Sequence, residues 1–159
     1  DAALRVRDML AAIGLRSWPR STGGKGLHVV VPLVRRNGWE DVKRFAQGVA
    51  TRLEDEDPAG FTASLSKKRR KGRIFVDYLR NAANATAIAD YSTRARPGAP
   101  VAAPVSWQEV TDAGDEALRF GMNEVLRRVA LHGDPWTGFD EVRQSLTKAR
   151  LREMVQAGH

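Results

Sequence analysis

The chain has 159 residues, with 26 Lys and Arg against 19 Asp and Glu, 42% hydrophobic residues and no cysteine, a balance that fits one globular domain or part of one. Without cysteine there is no disulfide framework, thiolate metal site or cysteine nucleophile. The three His are too scattered for a His-only zinc cluster, and no apolar run approaches the roughly 20 residues that span a bilayer. The net charge of +7 and pI of 10.4 point to a polyanionic partner, since neutralising phosphates with Lys and Arg releases condensed counterions. Charge alone does not choose between nucleic acid, nucleotide and anionic membrane.

Val6, Met9, Leu10 and Ile13 repeat at the spacing of a helix with one buried face, and Gly14 is placed to end it. The spacing predicts a helix over 3–13, with Asp1 inside or just before it. Next comes the cluster Ser21-Thr22-Gly23-Gly24-Lys25-Gly26, leading into the β-branched run Leu27-His28-Val29-Val30-Val31-Pro32-Leu33. The pair reads as strand, glycine turn, strand. Trp39, Val42, Phe45, Ala46, Val49 and Leu53 predict a second helix over 39–54, with Glu40 and Asp41 suited to its positive end.

Asp55 to Gly60 ends that helix, Phe61–Leu65 reads as a short strand, and a basic stretch leads into a stronger one, Arg73–Leu79. Residues 81–106 are rich in Ala, Pro and Gly and read as extended chain and turn. Two helices follow. Met122, Val125, Leu126 and Val129 mark one ending near Gly133, and Phe139, Val142, Leu146 and Met154 mark the other. This order implies an α+β fold with an antiparallel or mixed sheet flanked by helices.

Ser21–His28 is the first place where chemistry can reside. Consecutive glycines let backbone N–H groups face an anion, and a hydroxyl, an ammonium and an imidazole stand close by. A triphosphate cradle and a plain glycine-rich hairpin with an exposed Lys both fit. A nucleotide-hydrolase P-loop does not, because Pro19 stands where its first Gly belongs, Gly26 follows Lys25, and the loop enters a strand. Lys67, Lys68, Arg69, Arg70, Lys71 and Arg73 put six cations in seven positions, suited either to a solvated loop or to a polyphosphate or nucleic acid. Asp77, expected on an apolar strand beside Phe75 and Leu79, needs an Arg or a metal as partner. Arg80 and Arg94 offer bidentate contacts to phosphates. The alternating carboxylates of Asp55-Glu56-Asp57 read as a solvated helix-terminating turn.

Three stretches carry a resemblance. Ser21–Leu33, Lys71-Gly72-Arg73-Ile74-Phe75-Val76-Asp77-Tyr78-Leu79-Arg80-Asn81 and Tyr91-Ser92-Thr93-Arg94-Ala95-Arg96-Pro97-Gly98-Ala99-Pro100-Val101 closely resemble the polymerase domain of bacterial DNA ligase D, of the archaeo-eukaryotic primase superfamily. The matches cover most of residues 1–110, and the region of Trp107 resembles the family's next helix. The resemblance implies a primase-type nucleotidyltransferase of non-homologous end joining, cytoplasmic and nucleoid-associated. Such an enzyme fills gaps and extends ends with NTPs or dNTPs, using manganese (or magnesium).

Residue by residue, the resemblance makes Asp77 the third metal-binding carboxylate and the catalytic one. Thr22 stands where the family has a serine hydroxyl on the triphosphate, and His28 matches the histidine that contacts it. Arg70, Arg80 and Arg94 fall on arginines around the nucleotide, and Lys25 matches the motif; Lys67, Lys68, Arg69 and Lys71 are expected to touch DNA. Implied partners are DNA ends or gapped DNA with a 5′-phosphate, the nucleotide, the Ku protein and the ligase domain of the same polypeptide. The family carries its first two metal carboxylates in a strand-borne Asp-x-Asp motif shortly before the helix with which this chain begins; those residues are not in the sequence, and the one Asp-x-Asp present, Asp55-Glu56-Asp57, stands at a helix end. Residues 1–159 are therefore expected to be a single domain, the C-terminal part of such a polymerase domain, incomplete at the N-terminus. By itself it is expected to be inactive, or to be a binding module for nucleotide or DNA ends.

Overall fold

The sequence Ser21-Thr22-Gly23-Gly24-Lys25-Gly26 folds as the tight end of an antiparallel hairpin. In the computed structural model, which describes residues 2–114 and 118–156, β1 (Trp18–Ser21) pairs with β2 (Leu27–Val30), Arg20 opposite His28 and Ser21 opposite Leu27. Thr22 closes the turn twice on the carbonyl of Gly26, through its backbone N–H at 3.1 Å and its hydroxyl at 2.9 Å. The chain divides into two compact units, Asp1–Pro32 with Ile88–Val142 and Leu33–Ala87 with Arg143–His159.

In the first unit, α1 (Ala2–Ala12) ends as its sequence dictates. Gly14 takes φ +72°, and Gly14 and Leu15 donate to the carbonyls of Ala11 and Leu10, which satisfies the last helical acceptors. Asp1 lies outside the described residues. The free flank of β1 is lined by the chain around Ala103: Ser21 exchanges backbone and side-chain hydrogen bonds with Ala103, and Val105 donates to Pro19. Val101, Ala103, Val105, Val110, Phe120 and Val125 form the buried core here, with Leu4, Leu27 and Trp107 packed against it. α3 (Trp107–Ala113) opens on a capping box between Ser106 and Glu109, and α4 (Met122–His132) follows.

The second unit is built on α2 (Trp39–Glu56), whose Phe45, Val49, Ala50 and Leu53 are buried and which packs against α5 (Lys148–Gln156). The helices meet at Gly48, where a Cβ would lie 2.5 Å from the carbonyl oxygen of Met154. β3 (Phe61–Thr62) and β4 (Ile74–Phe75) pair in parallel. Glu54 pins the end of β3, accepting from the Thr62 hydroxyl and the Ala63 N–H, each at 3.0 Å.

The mixed α+β architecture agrees with the sequence reading, but several elements differ. Trp39, placed on the buried face of α2, is 60% exposed. The strand expected over Leu27–Leu33 ends at Val30, Phe61–Leu65 shrinks to two residues, and Arg73–Leu79 shrinks to Ile74–Phe75. The last helix begins at Lys148 and not near Phe139. Phe139 is apolar for another reason: its ring meets Trp18 edge-on at 5.4 Å and stacks on Trp136 at 4.7 Å.

Candidate functional site

The glycine turn gathers charge from two distant stretches of the first unit. Tyr91–Ala102 folds back on itself as an arch: Tyr91 donates to Ala102, Ala102 to Ser92 and Arg94 to Pro100. At its root, burial and the hydrogen-bonded Asp134 push the Tyr91 phenol up to about 12, so it stays protonated as a donor. The bend of the arch rests on Gly98, at φ +80°, and sends Arg94 and Arg96 across the turn. Gly23 is buried at φ +65°, and a Cβ there would lie 2.9 Å from Arg94 Cγ. A Cβ on Gly24 would meet Arg96 Nη1 at 3.2 Å. Arg94 also donates to the Thr22 carbonyl at 3.4 Å, and Arg119 Nε to the Gly24 carbonyl at 3.2 Å.

Three guanidiniums thus lie against the turn whose tip carries the exposed Lys25. The glycines are needed because the arginine side chains and the backbone of the arch fill the space a Cβ would take. Sequence reasoning placed Thr22, Lys25, His28 and Arg94 here; it missed Arg96 and Arg119. Arg96 was legible in its i, i+2 spacing from Arg94, whereas nothing local marks Arg119, 95 residues from Gly24.

One strand pair further in, Arg20 and His28 face each other. Arg20 Nη2 lies 2.8 Å from His28 Nδ1, and Arg20 Nη1 donates to Asp90 Oδ1 at 2.9 Å. The Arg20 side chain is 11% exposed, and its Nε is buried without a partner among the described residues.

The remaining candidates lie in the second unit. Asp77 is past the end of β4 and exposed, so the burial argument for its pairing does not apply. Its Oδ1 accepts from the Leu79 N–H at 3.1 Å and its Oδ2 from Arg80 Nε at 3.0 Å. Arg80 also reaches the Thr86 carbonyl. Arg70 sits 3.6 Å over the Phe75 ring and donates to the Ser64 carbonyl, which holds its guanidinium in place. Lys67, Lys68, Arg69 and Lys71 are exposed on successive turns, the geometry of a solvated cationic surface. Asp57 caps the Gly60 N–H at 2.9 Å, in keeping with a helix-terminating turn.

Among the described residues no group of three His, Cys, Asp or Glu side chains is placed to hold a metal ion. A Mg²⁺-like ion takes about six oxygen ligands, and Asp77 is one carboxylate with both oxygens engaged. These residues alone do not fit the divalent ion that the resemblance implies. No helix among the described residues is long and apolar enough to cross a membrane.

A family model for the LigD primase-polymerase domain matches residues 1–136. The chain belongs to the LigD primase-polymerase family. It is 40% identical over 148 residues to the multifunctional non-homologous end joining protein LigD of Pseudomonas aeruginosa, covering 92% of this chain and 18% of that protein. The corresponding LigD of Mycobacterium tuberculosis is 41% identical over 134 residues, 84% of this chain and 17% of that one, and the bifunctional LigD of Bacillus subtilis is 32% identical over 140 residues, 87% and 23%. The chain thus spans about a fifth of the length of these LigD relatives. Among solved structures, the polymerase domain of Mycobacterium tuberculosis ligase D in complex with DNA matches with a TM-score of 0.81 at 39% identity, over 88% of this chain and 48% of that one.

Proposed function

We propose that this LigD primase-polymerase chain holds the triphosphate of an incoming NTP or dNTP for nucleotidyl transfer in bacterial non-homologous end joining. The observation that carries the reading is the glycine turn crossed by Arg94 and Arg96 and bonded by Arg119. A triphosphate carries several negative charges, and guanidiniums meet phosphate oxygens bidentately without losing their own charge. The backbone N–H of Gly26, which is exposed and has no Cβ beside it, suits the same oxygens. His28 Nε2 and the Lys25 ammonium are the further donors, while the Thr22 hydroxyl turns from Gly26 to reach a phosphate.

Gapped DNA with a 5′-phosphate is the proposed second substrate, with Lys67, Lys68, Arg69 and Lys71 on its backbone; Arg70 and Arg80 are proposed as further nucleotide contacts on the strength of the family resemblance. The DNA-bound polymerase domain from Mycobacterium tuberculosis supports DNA as a partner. Ku and a ligase domain of the same polypeptide are the proposed protein partners, and the nucleoid the place of action. Asp77 is the proposed catalytic carboxylate, one ligand of a manganese or magnesium ion.

A second reading, a nucleotide or DNA-end binding module without catalysis, is favoured by the absence of a three-donor metal cluster among the described residues. Manganese-dependent nucleotide addition to gapped DNA, compared between the chain and Asp77→Ala, separates the two. Addition lost in the variant, with ATP binding retained, establishes the enzyme. No addition by either, with ATP binding and salt-sensitive DNA binding intact, establishes the module. Absence of both kinds of binding contradicts both readings.

A further inference from the structure

The hairpin places Arg20 directly opposite His28, and the two side chains share one face of the strand pair. Guanidinium nitrogens only donate hydrogen bonds. The 2.8 Å contact between Arg20 Nη2 and His28 Nδ1 therefore requires a lone pair on Nδ1, which leaves the proton of the neutral ring on Nε2. A proton on Nδ1 would set two N–H groups against each other and two cations side by side.

We infer that Arg20, anchored by Asp90, is a positioning residue that locks His28 as a neutral imidazole with its proton on Nε2, so that the ring meets phosphate as a hydrogen-bond donor and not as a cation. The inference rests on the reading of this turn as a triphosphate site. Arg20 acts through His28. Its two outer nitrogens are engaged by Asp90 and His28, its side chain is 11% exposed, and its Nε is buried without a partner among the described residues. Asp90 balances the buried charge at 2.9 Å and sets the side of the guanidinium that faces the ring. The tautomer matters because Nε2 is a donor only while Nδ1 accepts.

The test is NMR of isotope-labelled imidazole nitrogens at neutral pH in the chain, assigned with His28→Gln, alongside ATP titrations. The expected signature for His28 is a protonated Nε2 and a hydrogen-bonded, unprotonated Nδ1. In Arg20→Gln that Nδ1 signature disappears and ATP binds about tenfold more weakly, the size of one charge-assisted hydrogen bond. Arg20→Lys, which carries one donor group in place of the fork, restores part of both. Asp90→Asn, which keeps the shape, loosens the Nδ1 signature without removing it. A wild-type ring protonated on Nδ1, or ring signals unchanged in a folded Arg20→Gln protein, would overturn the inference. If the ring behaves as expected but His28→Gln leaves ATP affinity unchanged, the locking stands and the triphosphate reading fails.

Discussion

Arg94 crosses Gly23 so closely that a methyl group on Gly23 would lie 2.9 Å from Arg94 Cγ, 3.1 Å from the Pro100 carbonyl and 3.2 Å from the Ala102 N–H. The turn and the arch are therefore fitted to each other through a missing side chain, at a residue held at φ +65°. Gly23→Ala meets both a left-handed backbone and this contact, and about 1–3 kcal/mol of stability should be lost. Thermal or urea unfolding checks the loss, and an ATP titration of the folded variant should show weaker binding because Arg94 is displaced. Unchanged stability together with unchanged affinity would contradict the packing described.

The contact of α2 with α5 depends on Gly48 in a similar way. Here the neighbour is backbone, the Met154 carbonyl at 2.5 Å from an added Cβ, and it has little freedom to withdraw. Alanine normally favours a helix interior over glycine by about 1 kcal/mol, but overpacking typically costs about 1–3 kcal/mol. Gly48→Ala should lower the urea midpoint. A rise would mean that α5 can slide away from α2.

Glu109 links the capping box of α3 to Arg128 on α4. Burial raises its pKa, but hydrogen bonds from Arg128 and Ser106 and the Arg128 charge outweigh this and hold the carboxyl below the ordinary value. The folded state therefore prefers the ionised form. That stabilisation is complete above the unfolded value of about 4.3 and is lost as pH falls through the lower folded value. Glu109→Gln keeps a side chain able to complete the capping box and removes the charge. It should cost about 1–2 kcal/mol near neutrality, and the gap to the wild type should shrink as pH drops below about 4. A gap independent of pH, measured by urea unfolding across that range, would show that the charge is not what holds Glu109.

Much of this architecture was legible in the sequence because it is written locally. The α2 positions Phe45, Val49 and Leu53 recur at helical spacing and are buried, and Gly14 ends α1 where it stands. The glycine cluster between Ser21 and Leu27 announces a hairpin, which forms in the expected place. The failures share a cause. Phe139 and Leu146 are apolar but belong to no helix: Phe139 packs on two tryptophans, and Leu146 is fixed by a backbone pairing with the Asn37 side chain. Asp77 reads as part of a strand because Phe75 and Leu79 stand beside it at strand spacing, yet β4 pairs with only two residues of β3 and ends at Phe75. In the site, Thr22, His28 and Arg94 were readable from the turn and its resemblance, while Arg20, Asp90 and Arg119 enter only through tertiary contacts.

The central claim is that the glycine turn and its arginines hold a triphosphate. Equilibrium binding of ATP to the chain, compared with an Arg94→Ala, Arg96→Ala double variant of unchanged fold, tests it most directly. The account predicts binding that weakens with added salt and falls at least about tenfold in the double variant, the size of a lost charge-assisted contact. Equal affinity in both proteins would contradict it.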